Sequence, residues 1–165
     1  MGIRFAEKLK ILPVLTPVSS TDGGSEFVDL EEVQWLSFLV SFGAMTSDST
    51  DTIAFTVECS TAQTTDATTV LAPFRYRLSS AVATDSMGAI TAITSTESCS
   101  ITATDDGKVL LIDVDPAEIP SISSYTAHKY ARLSYDFSAE FATNIIGAVA
   151  IIEPRYPGNS MNSAT

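Results

Sequence analysis

The sequence predicts an all-β fold, an antiparallel and jelly-roll-like β-sandwich. Apolar and polar residues alternate with a period of two in several short segments, and turn signals separate these segments. Ser and Thr together make up about a quarter of the chain; Thr favours strands, and Ser suits turns and solvent-facing strand positions. Helical periodicity of useful length is almost absent, so we expect about eight strands and one domain.

The first predicted element is an apolar stretch, Ile11–Val18, that contains Pro13 and Pro17. A proline cannot donate to a strand ladder, so this stretch is either an edge strand or an extended arm lying on something else. The loop around Asp22-Gly23-Gly24 follows it. We therefore divide the chain into an N-terminal arm and loop at 1–25, a β-sandwich domain at 26–158 and a polar C-terminal tail at 159–165.

The remaining strands follow in chain order, and most of them have one clearly apolar face. Asp105-Asp106-Gly107 predicts a tight hairpin turn, and Pro116 to Tyr125 predicts a loop with one helical turn. The predicted strands are 36–42, 53–57, 72–78, 89–94, 99–104, 108–114, 128–137 and 144–153.

The charge balance narrows the choice of partners. The chain carries 20 acidic and 9 basic residues, a formal net charge of −11. An acidic surface repels nucleic-acid phosphates and anionic lipids, so we expect neither nucleic acid nor a membrane as partner. No apolar run approaches the roughly 20 residues that a membrane helix needs.

The titratable residues do not form a recognisable catalytic pattern. His128, the single histidine, is predicted on the polar face of its strand, and no Gly-x-Ser-x-Gly or His-Glu-x-x-His spacing occurs. The pairs Asp105/Asp106 and Asp113/Asp115 fit turn and strand-end roles, with calcium binding or hydrolysis as alternatives. We expect a non-enzyme with no catalytic residue, cofactor or metal.

The two cysteines are too few for a disulfide framework. Cys59 and Cys99 each continue the apolar face of a predicted strand, so buried small hydrophobes are the main interpretation. A disulfide between them and a catalytic thiol are the alternatives.

Two features exceed what a sandwich core needs. Arg75 and Arg77 share the outward face of one strand, where they either pair with acids of this chain or contact an acidic partner. The run Ile145–Ile152 is apolar on both faces, so its second face lies against a helix or loop of this chain or against another subunit. We expect the apolar face to govern oligomerisation and the arginines to govern docking.

Several short blocks resemble small head proteins of tailed bacteriophages that are taken to be capsid decoration, or cement, proteins. The most telling are Ile-Asp-Val-Asp-Pro at 112–116 and Pro-Arg-Tyr-Pro at 154–157. The other blocks are Phe-Ala-Glu-x-Leu at 5–9, the apolar-proline stretch 11–18, Val-Asp-Leu at 28–30, the aromatic strand 35–42 and Tyr-Ala-Arg-Leu at 130–133. The end of the chain, 159–165, departs from the family's proline-rich close.

The resemblance implies a β-sandwich without catalysis, made in the bacterial host cytoplasm and bound to the capsid exterior of the virion. Its partners would be the major capsid protein and further copies of itself, as a dimer or trimer. The interface residues expected for this role are Arg75, Arg77, Ile146, Ile152, Arg155 and Tyr156. The alternative is a receptor- or carbohydrate-binding module of a phage fibre or spike, for which Trp35, Tyr125 and Tyr130 are the candidate aromatics.

Overall fold

The computed structural model describes residues 8–19, 21–43, 45, 52–64, 69–119, 128–138 and 145–155. Two antiparallel sheets pack face to face as a sandwich, which confirms the predicted fold class. The strands are β1 (Lys10–Ser19), β2 (Gly23–Gly24), β3 (Val28–Asp29), β4 (Val33–Phe42), β5 (Thr52–Ser60), β6 (Thr69–Ala72), β7 (Phe74–Leu78), β8 (Thr91–Ile93), β9 (Cys99–Thr102), β10 (Val109–Val114), β11 (Tyr130–Phe137) and β12 (Ile145–Pro154).

The chain passes repeatedly from one sheet to the other. The first sheet has the order β1-β12-β4-β10-β7-β8, and the second has the order β2-β11-β5-β6, with β3 paired to β11 and β9 paired to β5. The chain therefore crosses between the sheets after β1, β3, β4, β6, β8, β9, β10 and β11. This alternation, with the last strand beside the first, is the winding of a jelly roll.

One hydrophobic core lies between the sheets. Because successive strand residues point to opposite faces, each strand contributes every second side chain to this core. The predicted inward residues Phe74, Tyr76 and Leu78 all pack there. The largest fully buried side chains are Phe38, Phe55, Leu36, Ile53, Ile101, Leu110, Ile112, Leu133, Ile146, Ile152 and Val28.

The N-terminal apolar stretch is an edge strand of the sandwich. β1 pairs with β12 from Lys10↔Ile152 to Ser19↔Ile145, and its register shifts between Pro13 and Leu15 and again between Leu15 and Val18. Val14 is only 4% exposed and belongs to the core. Of the two interpretations, the edge strand is the correct one, and the proposed boundary at residue 25 does not separate this stretch from the sandwich.

The predicted loop at Gly23-Gly24 contains a short strand that the sequence did not reveal. β2 pairs with β11 through Gly24↔Ser134 and Gly23↔Tyr135. A Cβ at Gly23 would lie 2.9 Å from the Tyr135 hydroxyl oxygen, so a larger residue here would have to displace the Tyr135 side chain. Glycine has no side chain, so the alternation of apolar and polar residues could not predict this strand.

Two connections differ from the predicted ones. The predicted strand at 72–78 is divided at Pro73, because β6 pairs with β5 in the second sheet whereas β7 pairs with β10 in the first. The turn at 105–107 joins β9 of the second sheet to β10 of the first, so it is not a hairpin. The predicted helical turn after Asp115 is present as the 3-10 turn Pro116–Glu118.

The turn into β10 depends on Gly107, whose φ is +67°, and we predict that Gly107→Ala is destabilising. The left-handed conformation costs an L-residue about 1–2 kcal/mol, and the new Cβ would lie 3.2 Å from a Val82 methyl carbon. Urea unfolding should therefore show a loss of about that size. Gly147→Ala is the control, because its nearest neighbours at 3.7 Å are ordinary contacts. Equal losses in the two variants would contradict this account of the turn.

We also predict that β1 supports the fold. Val14→Asp should lower the free energy of unfolding by about 2–4 kcal/mol, because it places an unpaired carboxylate in the core. Thr16→Asp is the matched control, since Thr16 is exposed on the same strand. Thermal melts of both variants compare the two sites. If both variants melt like the unmodified protein, residues 10–19 are an arm that the sandwich does not need.

Candidate functional site on the outer face of the first sheet

The outer side of the first sheet carries a continuous row of apolar residues. Val149 of β12 lies beside Leu39 of β4, and Leu39 lies beside Leu111 of β10. Arg77 of β7 is the next neighbour of Leu111 and ends the row. With neighbouring strands about 4.8 Å apart, the row from Val149 to Arg77 spans about 14 Å.

We call this surface the outer apolar face, and it consists of Pro13, Leu39, Val109, Leu111, Val149 and Ile151. None of these six side chains belongs to the buried core or packs against it. A shallow groove of about 460 Å³ follows one side of the face, between β1 and β10. Gly147 lines this groove, where the absence of a side chain leaves space.

A polar row lies next to the apolar one. The Ser37 hydroxyl donates to Asp113 Oδ1 at 2.6 Å across the β4–β10 pair. Arg75 Nη2 donates to Glu118 Oε1 at 3.0 Å. Glu118 lies on the 3-10 turn Pro116–Glu118, and the Asp115 side chain caps this turn by accepting a hydrogen bond from Ala117 N. Arg75 is therefore paired within this chain, as one of the two interpretations predicted.

Arg77 is held less completely. Its Nη2 is 4.0 Å from Asp113 Oδ2, which is too long for a hydrogen bond, and 36% of its side chain is exposed. Its buried Nε has no hydrogen-bond partner within the described part of the chain. The buried Nε is out of reach of another molecule, whereas the exposed part of the guanidinium ends the apolar row with donors that a further acceptor can use.

Two of the predicted interface residues lie in the core instead. Ile146 and Ile152 are 0% and 1% exposed, because they pair with the inward residues Phe42 and Leu36 of β4. The outward half of β12 consists of Ile145, Gly147, Val149 and Ile151. Both halves of the strand are apolar, so the sequence could not decide which half faces the core.

The other two predicted interface residues lie at or beyond the end of β12. Arg155 is exposed, and its backbone N donates to Glu32 O at 2.7 Å. Tyr156 lies outside the described residues. The described structure therefore places neither residue on the outer apolar face.

The outer side of the second sheet has the opposite character. β5 directs Thr52, Thr56 and Glu58 outward, and β11 directs Arg132, Ser134 and Asp136 outward. Arg132 Nη2 and Nε lie 2.7 and 2.8 Å from Glu58 Oε2, and the guanidinium covers the Phe27 ring at 4.9 Å. This side is suited to water, whereas the outer side of the first sheet is suited to an apolar partner.

The candidate aromatics of the carbohydrate-binding alternative do not form one site. Trp35 pairs with Glu153 on the outer side of the first sheet, and Tyr130 lies on the outer side of the second. Tyr125 lies outside the described residues. Trp35 and Tyr130 therefore cannot contact the same sugar.

The position of His128 differs from the predicted one. It is 8% exposed, whereas we expected it on the polar face of its strand. β11 begins at Tyr130, so the alternation of that strand does not extend back to residue 128. Within the described ranges, no three His, Cys, Asp or Glu side chains form a group that could hold a metal ion.

The two cysteines are buried, as predicted, and both thiols are free, so the disulfide alternative is wrong. Burial raises the pKa of Cys59 to about 12, and the neighbouring Glu58 carboxylate acts in the same direction. Burial likewise raises the pKa of Cys99 to about 12. A thiol of this kind is a poor nucleophile, because the thiolate is the reactive form.

The carboxylate pairs have structural contacts. Asp105 accepts from Lys108 Nζ at 2.8 Å and from Thr102 N at 3.1 Å, which stabilises the turn before β10. Asp115 caps the following 3-10 turn, and Asp113 is bound by Ser37. These contacts agree with the predicted turn and strand-end roles. No helix within the described part of the chain has the length and apolar character to cross a membrane.

Comparison with known proteins adds little to this picture. No protein-family model and no curated protein matches the chain. Among solved structures, the chain is similar to the N-terminal CBM22-1–GH10 modules of the endo-1,4-β-D-xylanase 10B of Clostridium thermocellum, solved in complex with xylohexaose. The identity is 12% and the TM-score 0.37, over 95% of this chain and 26% of that chain. A likeness of this size carries no argument about function.

We predict that neither thiol reacts in the folded protein. Because the pKa of each thiol rises from its ordinary 9.0 to about 12 on folding, both stay protonated at pH 8. The same shift stabilises the folded chain below pH 9, and this contribution is lost as the pH rises toward 12. A thiol-specific chromogenic reagent at pH 8 should therefore label both cysteines only when urea is added. Rapid labelling in the absence of urea would mean that one thiol is accessible and activated.

Proposed function

We propose that the chain is a capsid decoration protein of a tailed bacteriophage, which binds the outer surface of an assembled shell and stabilises it. The observation that carries the proposal is the contrast between the two outer sides of the sandwich. One side is apolar along Val149, Leu39 and Leu111, and the other carries mainly hydroxyl and charged groups. A protein that sits on a shell needs one side to dock and one side to face water.

One block of the family resemblance, Ile-Asp-Val-Asp-Pro at 112–116, lies on the same surface. The segment 111–118 supplies Leu111 to the apolar row and Asp113 to the polar row. It also supplies Glu118, the partner of Arg75. Asp113 of the block 112–116, with its neighbours Leu111 and Glu118, therefore lies on the surface where this chain would meet its partner.

The mechanism follows from mass action. A protein that binds the assembled shell, and not its separate subunits, stabilises the shell by its binding free energy. A copy that spans neighbouring capsid subunits also raises the barrier to rupture, since those contacts must break first. The oligomeric state that the resemblance implies, a dimer or a trimer, belongs to this proposal.

The receptor- or carbohydrate-binding alternative has less support. Trp35 and Tyr130 lie on opposite sides of the sandwich, whereas a sugar site requires aromatic side chains that converge. An acidic chain with a net charge of −11 also suits attachment to another protein rather than to an anionic cell surface.

The proposal predicts saturable binding to shells. Shells of the phage that encodes the chain, prepared without this protein, should bind it with fixed stoichiometry in a sedimentation assay. The decorated shells should also withstand a higher temperature before they rupture. Unassembled capsid subunits are the control and should bind weakly. Failure to bind shells, or binding to host cells in place of shells, would overturn the proposal.

A further inference from the structure

We infer that the outer apolar face and Arg77 form one continuous docking surface for a segment of a capsid subunit, one with aliphatic side chains and a carboxylate at one end. This inference rests on the proposed function and specifies which side of the sandwich meets the shell. It replaces the expectation that the apolar face and the arginines act in separate steps.

The continuity of the surface comes from the strand order. β12, β4, β10 and β7 are consecutive neighbours, and the register places Val149, Leu39, Leu111 and Arg77 in one row across them. Side chains in such a row are neighbours on the same side of the sheet. A partner that covers the apolar residues therefore reaches the guanidinium as well.

The chemistry of the partner follows from the side-chain groups of the row that remain accessible. Leu39, Leu111 and Val149 offer aliphatic surface without a hydrogen-bonding group, and the groove beside them holds about 460 Å³. Arg77 offers a guanidinium whose facing carboxylate, on Asp113, is 4.0 Å away and already accepts from Ser37 at 2.6 Å. A carboxylate from outside can pair with this guanidinium at closer range, in the bidentate geometry that arginine favours.

A second copy of the chain fits this surface poorly. If two copies met face to face with the two-fold axis through the middle of the row, Arg77 would lie opposite either Val149 or the Arg77 of the other copy. The carboxylates nearest to Arg77 on such a copy are also occupied, Asp113 by Ser37 and Glu118 by Arg75. The occupant is therefore a different protein with an acidic group at the edge of an apolar segment.

The test uses full-length protein and the same undecorated shells. The double variant Leu39→Thr with Val149→Thr keeps branched side chains that suit outward strand positions, and it removes much of the apolar row. We expect its affinity for shells to fall about tenfold or more. Arg77→Gln should weaken binding several-fold and reduce the dependence of binding on salt, because it removes one charge pair.

The matched control is Ala54→Thr, a comparable change on the outer side of the second sheet, which should bind like the unmodified chain. Circular dichroism checks that each variant is folded. A second measurement needs no variant: hydroxyl-radical footprinting should show that shells protect Leu39, Leu111 and Val149 but not Tyr130 on the opposite side.

The outcomes separate the inference from the proposed function. If the unmodified chain binds shells, and the double variant binds equally well with no protection of the three residues, the docking surface is wrong and the function stands. If the unmodified chain does not bind shells, the function itself fails. If the chain sediments as a dimer that the double variant disrupts, a second copy covers the face, and the inferred occupant is wrong.

Discussion

The pairing of β12 with β4 determines which half of β12 faces the core. β12 lies between β1 and β4, and its register places Ile146 opposite Phe42 and Ile152 opposite Leu36. A shift by one residue would send the other half of the strand inward, because side chains alternate between the two sides. The position of β1, the groove beside Gly147 and the row that ends at Arg77 all follow from this register.

A sandwich needs only its inner surfaces to be apolar, so an apolar outer surface requires a further explanation. The second sheet meets the ordinary expectation, since Thr56, Ser134 and the Glu58–Arg132 pair face outward. The first sheet departs from it with Leu39, Leu111 and Val149. These three side chains are half-buried by their neighbours in the sheet, and a row of apolar groups that remains accessible in this way is typical of a surface that a partner covers.

The positions of individual strands, which depend on residues close to one another in the sequence, were predicted better than the connections between strands. The alternation in β5 and β11 was visible because one half of each strand is apolar and the other is mostly polar. Gly23-Gly24 gave no such signal, although it forms a strand beside Tyr135. The turn at 105–107 looked like a hairpin because a turn motif does not reveal whether the strands beside it pair with each other.

The sequence by itself determined the fold class, the buried position of Cys59 and Cys99, and the outward direction of Arg75 and Arg77. These depend on local alternation and composition. Only the tertiary structure decided that Ile146 and Ile152 are core residues, that His128 is buried, and that Arg77 lies in one row with Leu111, Leu39 and Val149. The physical reason is that these facts depend on strand register and strand order. Strand register and strand order are set by hydrogen bonds between strands that are far apart in the sequence, such as those that carry Leu39 and Val149. A strand with apolar residues on both sides gives no sequence pattern from which its register or its neighbours could be predicted.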